Sequence, residues 1–530
     1  MSFKKKYILF SLTAVVLFFV LLEGLFRLIA LPGSFDFIER CAIEQELKPR
    51  KAPGEYRIFL YGESTMHGNH LYPKSTIRRW IKLYLENLLD PEQAKKVTIT
   101  NFSRLGEPSD FIAQSFFDTV VYKPDLAIFY TAHNDIIQLE NRREFLRKKS
   151  EGEKLAAAFQ AILKKSCFVS TVKRLTVKAK LARHKKREEE ENKRDDWYDE
   201  NERKKHKPGE GLLEPGSEDF KRILFHWEDN VRKIVATAQN ERIPVVFYEG
   251  VAKFWDYPPF ESVHSPALSK KDLDDWMKYH KKADENFDAE RWEEAALYYK
   301  KSLAIDPEYA LSYYHLGRSL EELRDYKSAQ RNYLTANEKD RFPVRAPMAV
   351  NEFYETLRRS GQPDVYVIPT QKLFWEHSPH GLTDDSLIFD QIHPTIEGQA
   401  LMALEVVKML YEQERIAPRS AWHWERIKNV EELKKGLNFD PEFEYRMHIS
   451  SAKYAGSYWK QAILSLNDAL KIKPRSIAAR SQLAWTFWQK GDKKEAVRSY
   501  RELLRDAPEA AEKFLNKYPE IKNEILSDKY

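Results

Sequence analysis

Cysteine is nearly missing from this chain. Two in 530 residues, Cys41 and Cys167, exclude a disulfide framework and a cysteine-built zinc site. They leave the redox compartment open. An excess of one charge is missing as well: 87 basic side chains face 81 acidic ones, a net of +6. A face that grips phosphates needs clustered basic charge, so nucleic acid is not expected as a partner. Histidines His67, His70 and His133 have no spacing that makes a metal-ligand set, and no metal or cofactor is expected.

What the chain does have is enough apolar material for several cores, 42% hydrophobic and 13% aromatic, over a length that suggests two to four domains. The N-terminus opens with Lys4, Lys5 and Lys6 and continues as an apolar run from Tyr7 to Leu31, broken by Glu23 and Arg27. As a helix that run is roughly 37 Å long, enough for a hydrocarbon core of about 30 Å. Glu23 and Arg27, four apart, share a face and partly neutralise each other. No small-x-small cleavage site is present, so residues 1–35 read as a retained transmembrane anchor rather than a signal peptide. The lysines place the N-terminus in the cytoplasm, and the remainder on the extracytoplasmic, periplasmic side of the cell membrane, as a single-pass protein.

Five apolar segments read as buried strands: 56–61, 97–102, 126–131, 244–249 and 364–369. Near-continuous β-branched and aromatic runs suit strands covered on both faces. Helical stretches fall between them at 75–89, 109–122, 218–240 and 346–360, with another after Pro394. This alternation predicts an α/β fold, a parallel five-stranded sheet with helices on both sides. The core is expected in two parts, 50–262 and 342–415. A dense mixed-charge stretch at 141–212 reads as a solvated insertion, including its basic part from Lys164 to Lys186.

The second interruption is a repeat. At a spacing of 34 residues, Trp292 aligns with Tyr326, Ala295 with Ala329, Tyr299 with Tyr333 and Ala283 with Gly317. Near the C-terminus, Ala462 aligns with Ala496, Ala469 with Leu503 and Pro474 with Pro508. That period, with small residues where helices cross, resembles tetratricopeptide repeats. They are expected at 270–341 and 440–515, as all-α surfaces for a protein partner.

Strand ends carry the chemistry in such sheets. Ser64 follows the first strand, Gly106 the second and Asn134 the third, while Asp390 and His393 precede the last helix. A serine hydroxyl needs an adjacent base, and His393 is the candidate. Asp390, three residues earlier, can fold back to the other imidazole nitrogen and fix the tautomer. The Ser64 N–H, the Gly106 N–H and the Asn134 amide can serve a developing oxyanion. Arg345 reads first as a structural ion pair and second as a contact for an anionic substrate group.

These residues stand as Gly62-Glu63-Ser64, Gly106, Ala132-His133-Asn134-Asp135 and Asp390-Gln391-Ile392-His393. In that order they resemble the SGNH (GDSL-type) hydrolase superfamily, over 50–140, 215–260 and 342–412, and look most like membrane-anchored bacterial members with tetratricopeptide repeats. The resemblance implies a flavodoxin-like three-layer α/β/α sandwich and cleavage of O-acyl esters, of an acylated glycan or lipid, through an acyl-enzyme. Glu63 stands where the family has Asp, and Ala132 where it has Gly. Two other readings use the same sequence: an O-acyltransferase acting on envelope glycans or lipids, and a non-catalytic scaffold that displays the repeats.

Overall fold

The computed structural model describes residues 13–15, 17–25, 36–69, 71–147, 166, 168, 171, 211–455, 459–519 and 521–522. Their sheet consists of β1 (Tyr56–Gly62), β2 (Val97–Asn101), β3 (Leu126–Tyr130), β4 (Val245–Tyr248) and β5 (Val365–Ile368). All pairs are parallel, and the order is β2-β1-β3-β4-β5. Residues 126–130 and 245–248 are buried throughout, which is why these segments are apolar without alternation. In register, Gly62 pairs with Tyr130 and Leu60 with Asn101, so the carboxyl ends of the central strands finish side by side.

Helices cover both faces. On one lie α2 (Ser109–Thr119), α3 (Glu218–Glu241) and α4 (Met348–Arg359). There Tyr61, Phe116 and Phe129 pack as one aromatic group, which continues through Phe247 to Tyr354 and Trp227. On the other lie α1 (Ile77–Leu88) and α5 (Ile396–Glu412), packed on each other. Tyr248 donates its hydroxyl to Met402 O of α5 at 2.9 Å. Buried Ile77, Trp80, Ile81, Tyr84, Leu85 and Leu88 recur at helical spacing along α1. Side chains of Thr76, Ser217 and Thr395 cap the starts of α1, α3 and α5, supplying acceptors to amides that a helix start leaves unpaired.

Between β4 and β5 stand the antiparallel helices Lys270–Asp288, Trp292–Ile305, Ala310–Glu322 and Tyr326–Lys339. Gly317 is required at their crossing, since a Cβ there would lie 2.8 Å from the ring of Tyr333. The C-terminal set is Pro441–Ala455, Trp459–Ile472, Ile477–Lys490, Lys493–Asp506 and Pro508–Lys517. Its entry is tied to the core: Lys74 donates to Asn438 O at 2.7 Å and lies over the Phe443 ring.

Three expectations need correction or limits. Sequence analysis assigns no element between the N-terminal run and the first strand, whereas Asp36–Glu44 is a helix with Ile38, Cys41 and Ala42 buried. Gln45 beyond it exchanges two hydrogen bonds with the Asn101 backbone of edge strand β2, at 2.7 and 2.8 Å. Among the described residues no helix is long and apolar enough to cross a membrane. Residues 13–15 and 17–25 are helical, and both ends of the Tyr7–Leu31 span, Arg27 included, lie outside the described residues. Glu23 accepts from the Ser166 hydroxyl at 2.7 Å and the Phe168 N–H at 3.2 Å. Most of the charged stretch, with Cys167, also lies outside them.

Candidate active site

β1 ends in a turn that its own residues dictate. A Cβ at Gly62 would sit 2.7 Å from both Met66 Cβ and Tyr130 O, so only glycine lets the strand run this close to β3. Glu63 is extended, and Ser64 opens the short helix Ser64–His67. Its N–H is among the amide donors that a first helical turn leaves without an intrahelical acceptor.

The structure brings Ser64, His393 and Asp390 together. His393 Nε2 lies 2.7 Å from Ser64 Oγ, and His393 Nδ1 lies 2.6 Å from Asp390 Oδ2. Asp390 Oδ1 accepts from the Ile392 and His393 N–H groups, each at 2.9 Å. Since that carboxylate can only accept, Nδ1 carries the proton and Nε2 keeps its lone pair for the serine hydroxyl. The segment is a closed loop: Phe389 N–H donates to His393 O and Thr395 N–H to Leu387 O, both at 2.9 Å. Gly398 lets α5 begin against it, because a Cβ there would meet Leu387 O at 2.3 Å.

Asn134 and Gly106 stand at the neighbouring strand ends. The Asn134 amide donates to Glu107 O at 3.1 Å, which joins the loop after β2 to the turn after β3. Gly106 adopts φ +74, a left-handed conformation that favours glycine. Asp135 accepts from Ser109 N–H at 2.8 Å and from its hydroxyl at 2.5 Å, anchoring the start of α2 to the same turn. Burial pushes the Asp135 carboxyl up to about 6. Ala132 does not have a positive φ, in keeping with its side chain.

Glu63 is the member that sequence reasoning assigned no task. Its carboxyl reaches across to the turn after β3 and accepts from Ala132 N–H at 2.7 Å, His133 N–H at 3.0 Å and Asn134 N–H at 3.3 Å. The nucleophile turn and the turn bearing Asn134 are thereby held as one piece. Burial pushes this carboxyl up to about 8, with Asp135 adding to the rise and the amides opposing it.

His133 belongs to this frame. Its Nδ1 accepts from Ala346 N–H at 3.1 Å, which leaves Nε2–H to donate to Tyr130 Oη at 2.8 Å. Tyr130 Oη in turn accepts from Val251 N–H at 3.1 Å. Burial drives the imidazole down to about 3, with His393 adding to the fall. His67 stacks on Tyr72, and burial lowers it to about 4; His70 lies outside the described residues. Among the described residues no group of three or more His, Cys, Asp or Glu side chains is placed to hold a metal ion.

Arg345 does not face an open mouth. It is buried and donates to Asn337 Oδ1 at 2.8 Å and to Tyr257 O at 2.9 Å, over the Phe254 ring. It therefore joins the last inserted helix to the loop after β4. Asn69 was passed over in the sequence, and its amide Nδ2 lies 3.3 Å from His393 Nε2. Its one signal there is its place directly after Gly68, in the turn that follows the serine.

Residues 298–331 match a family model of the tetratricopeptide repeat, and residues 477–509 match another. No curated protein matches the sequence. Among solved structures, a Bacteroides fragilis protein assigned as an acylhydrolase is 10% identical, with 72% of this chain and 98% of that one covered at a TM-score of 0.31. A GDSL-like lipase from Bacteroides thetaiotaomicron is 9% identical, with 72% and 100% covered at 0.29. A tetratricopeptide-repeat protein from Thermus thermophilus is 15% identical, with 46% and 97% covered at 0.14. Within the two helical sets, residues 298–331 and 477–509 are thus tetratricopeptide repeats by sequence, while the serine at the sheet's edge has to be understood from its own neighbours.

Proposed function

We propose that this chain is a serine hydrolase of the SGNH type that cleaves O-acyl esters. The observation that carries the reading is the unbroken series Asp390–His393–Ser64, with contacts of 2.6 and 2.7 Å at the carboxyl end of a parallel sheet. Ser64 Oγ attacks the ester carbonyl while its proton passes to His393 Nε2. Asp390 holds the imidazolium that forms. The proton then goes to the departing alkoxide, leaving an acyl group on Ser64, which water removes by the same steps in reverse roles.

The tetrahedral oxyanion falls to three donors: the Ser64 N–H, the Gly106 N–H and the Asn134 amide, which has a second N–H beyond the one given to Glu107. Each is worth on the order of 3 kcal/mol of barrier. Glu63 supports this reading, because it fixes the spacing between nucleophile and Asn134 before substrate arrives.

In the proposal the run from Tyr7 to Leu31 anchors the enzyme in the cell membrane, with the catalytic part on the extracytoplasmic face, where acylated glycans and lipids are within reach. The repeats offer a surface to a protein partner. The test is release of p-nitrophenolate from p-nitrophenyl acetate by the full chain in detergent, beside its Ser64→Ala variant. Turnover that vanishes with the serine is expected; none from the folded parent would sink the reading.

A further inference from the structure

The lone pair of His393 Nε2 has two claimants. Ser64 Oγ lies 2.7 Å away and Asn69 Nδ2 lies 3.3 Å away, and a neutral imidazole protonated at Nδ1 has one acceptor site. At rest the shorter serine contact holds it. The place of Asn69 is built by the chain around it. Gly68 takes φ +88, and a Cβ there would lie 2.7 Å from Thr76 Cγ2 and 3.0 Å from Ser75 O. Asn69 N–H then closes the turn on Ser64 O at 3.0 Å. The chain leaves the serine, reverses at a glycine, and returns a carboxamide beside the base. Ser64, Asn69 and His393 are 9%, 8% and 8% exposed, so each presents a similar sliver to the outside.

We propose that Asn69 is a further catalytic residue, one that orients the oxygen attacking the acyl-enzyme. The inference rests on the serine-hydrolase reading above. Once Ser64 Oγ is esterified it has no proton to offer, and Nε2 is open to the next O–H. A water, or an acceptor hydroxyl, that accepts from the Asn69 amide and donates to Nε2 is fixed by two hydrogen bonds instead of one. Its free lone pair attacks the acyl carbon as its proton moves to Nε2. The intermediate collapses by breaking the bond between the acyl carbon and Ser64 Oγ, and Nε2 returns the proton to that oxygen. The acid, or the new ester where an acceptor hydroxyl attacked, leaves and the serine is restored, with nothing oxidised or reduced. Acylation has no such need of Asn69, because its nucleophile already sits 2.7 Å from the base.

That asymmetry separates the two half-reactions. In stopped flow with p-nitrophenyl acetate and the full chain in detergent, Asn69→Ala should show a burst approaching one nitrophenolate per chain. Its kcat should fall about 10- to 100-fold, the scale of a misplaced reactant, while kcat/KM, which reports acylation, stays within about twofold of the parent. The burst amplitude counts competent sites, and Asn69→Ser, which keeps a donor, should recover part of kcat. Equal losses in kcat and kcat/KM without a burst would make Asn69 a mere prop for His393 and overturn the proposal. So would an alanine variant that behaves like the parent. A parent chain that releases no nitrophenolate defeats the hydrolase reading itself, and the inference with it.

Discussion

At the scale of single residues, the contacts around His393 rank the variants. Asp390→Asn keeps the shape but offers the imidazole a donor in place of an acceptor, favouring the wrong tautomer. It should lower kcat by roughly 10⁴-fold, with binding of the ester little changed. Two buried groups beside the site set opposite pH dependences of stability. His133 is held down at about 3 against its usual 6.5, so below 6.5 the unfolded chain takes a proton that the folded one refuses. Its contribution is present above 6.5 and lost as pH falls through about 3. Glu63 is raised to about 8 from 4.5, so its contribution is present below 4.5 and lost as pH rises through about 8. Denaturation midpoints measured across pH 4–9 should flatten on the acid side in His133→Gln and on the alkaline side in Glu63→Gln. That Ser64, Asp390 and His393 would meet could be anticipated from the sequence, because the roles proposed for them, nucleophile and base, admit few side chains. The tasks of Glu63, His133 and Asn69 could not, because they depend on which strand ends lie adjacent, and nothing in nearby sequence states that.

At the scale of elements, glycine contacts give the sharpest expectations. Gly398→Ala must move either α5 or the carbonyl of Leu387, which leads into the loop carrying Asp390 and His393. Overpacking of this kind costs about 1–3 kcal/mol, and the proposed esterase activity should fall with thermal stability. Gly317→Ala forces the Tyr333 ring aside at a similar cost of about 1–3 kcal/mol, confined to the inserted repeats; the transition of that unit in calorimetry should drop while that of the C-terminal set stays. The central strands β1, β3 and β4 were readable as apolar runs because burial on both faces removes the polar alternation, while the edge strand β2 keeps it in Thr98 and Thr100. The strand order was not readable, since pairing β1 between β2 and β3 is a non-local choice. The helix at Asp36–Glu44 was missed because its few buried residues are small or separated by charge. The structural role read first for Arg345 agrees with its burial, but its hydrogen-bond partners, the Asn337 amide and the Tyr257 peptide oxygen, are brought to it by tertiary folding and have no signature in nearby sequence.

At the scale of the whole molecule, the inserted repeats contact the segment that leads to His393. Gln330 donates to Gly381 O at 2.7 Å, and Tyr326 stacks on His380 with ring centres 3.9 Å apart. Trp255 donates to Thr383 O at 2.8 Å, and Lys253 N–H to Gln391 O at 2.8 Å, inside the loop of the base. Tyr326→Ala should therefore raise amide hydrogen exchange from residue 379 to 393 while leaving α1 and β1 unchanged; equal exchange in both chains would show the repeats to be bystanders. The same arrangement has a consequence in time. Ser64 and His393 are 329 residues apart, and at about 5–20 residues per second a ribosome takes roughly 15–65 s to travel between them. For most of that interval the sheet still waits for β5, and throughout it Ser64 is without His393, its proposed base. On the proposed function, a product cut short before His393 should have no esterase activity, so premature termination would yield no stray enzyme.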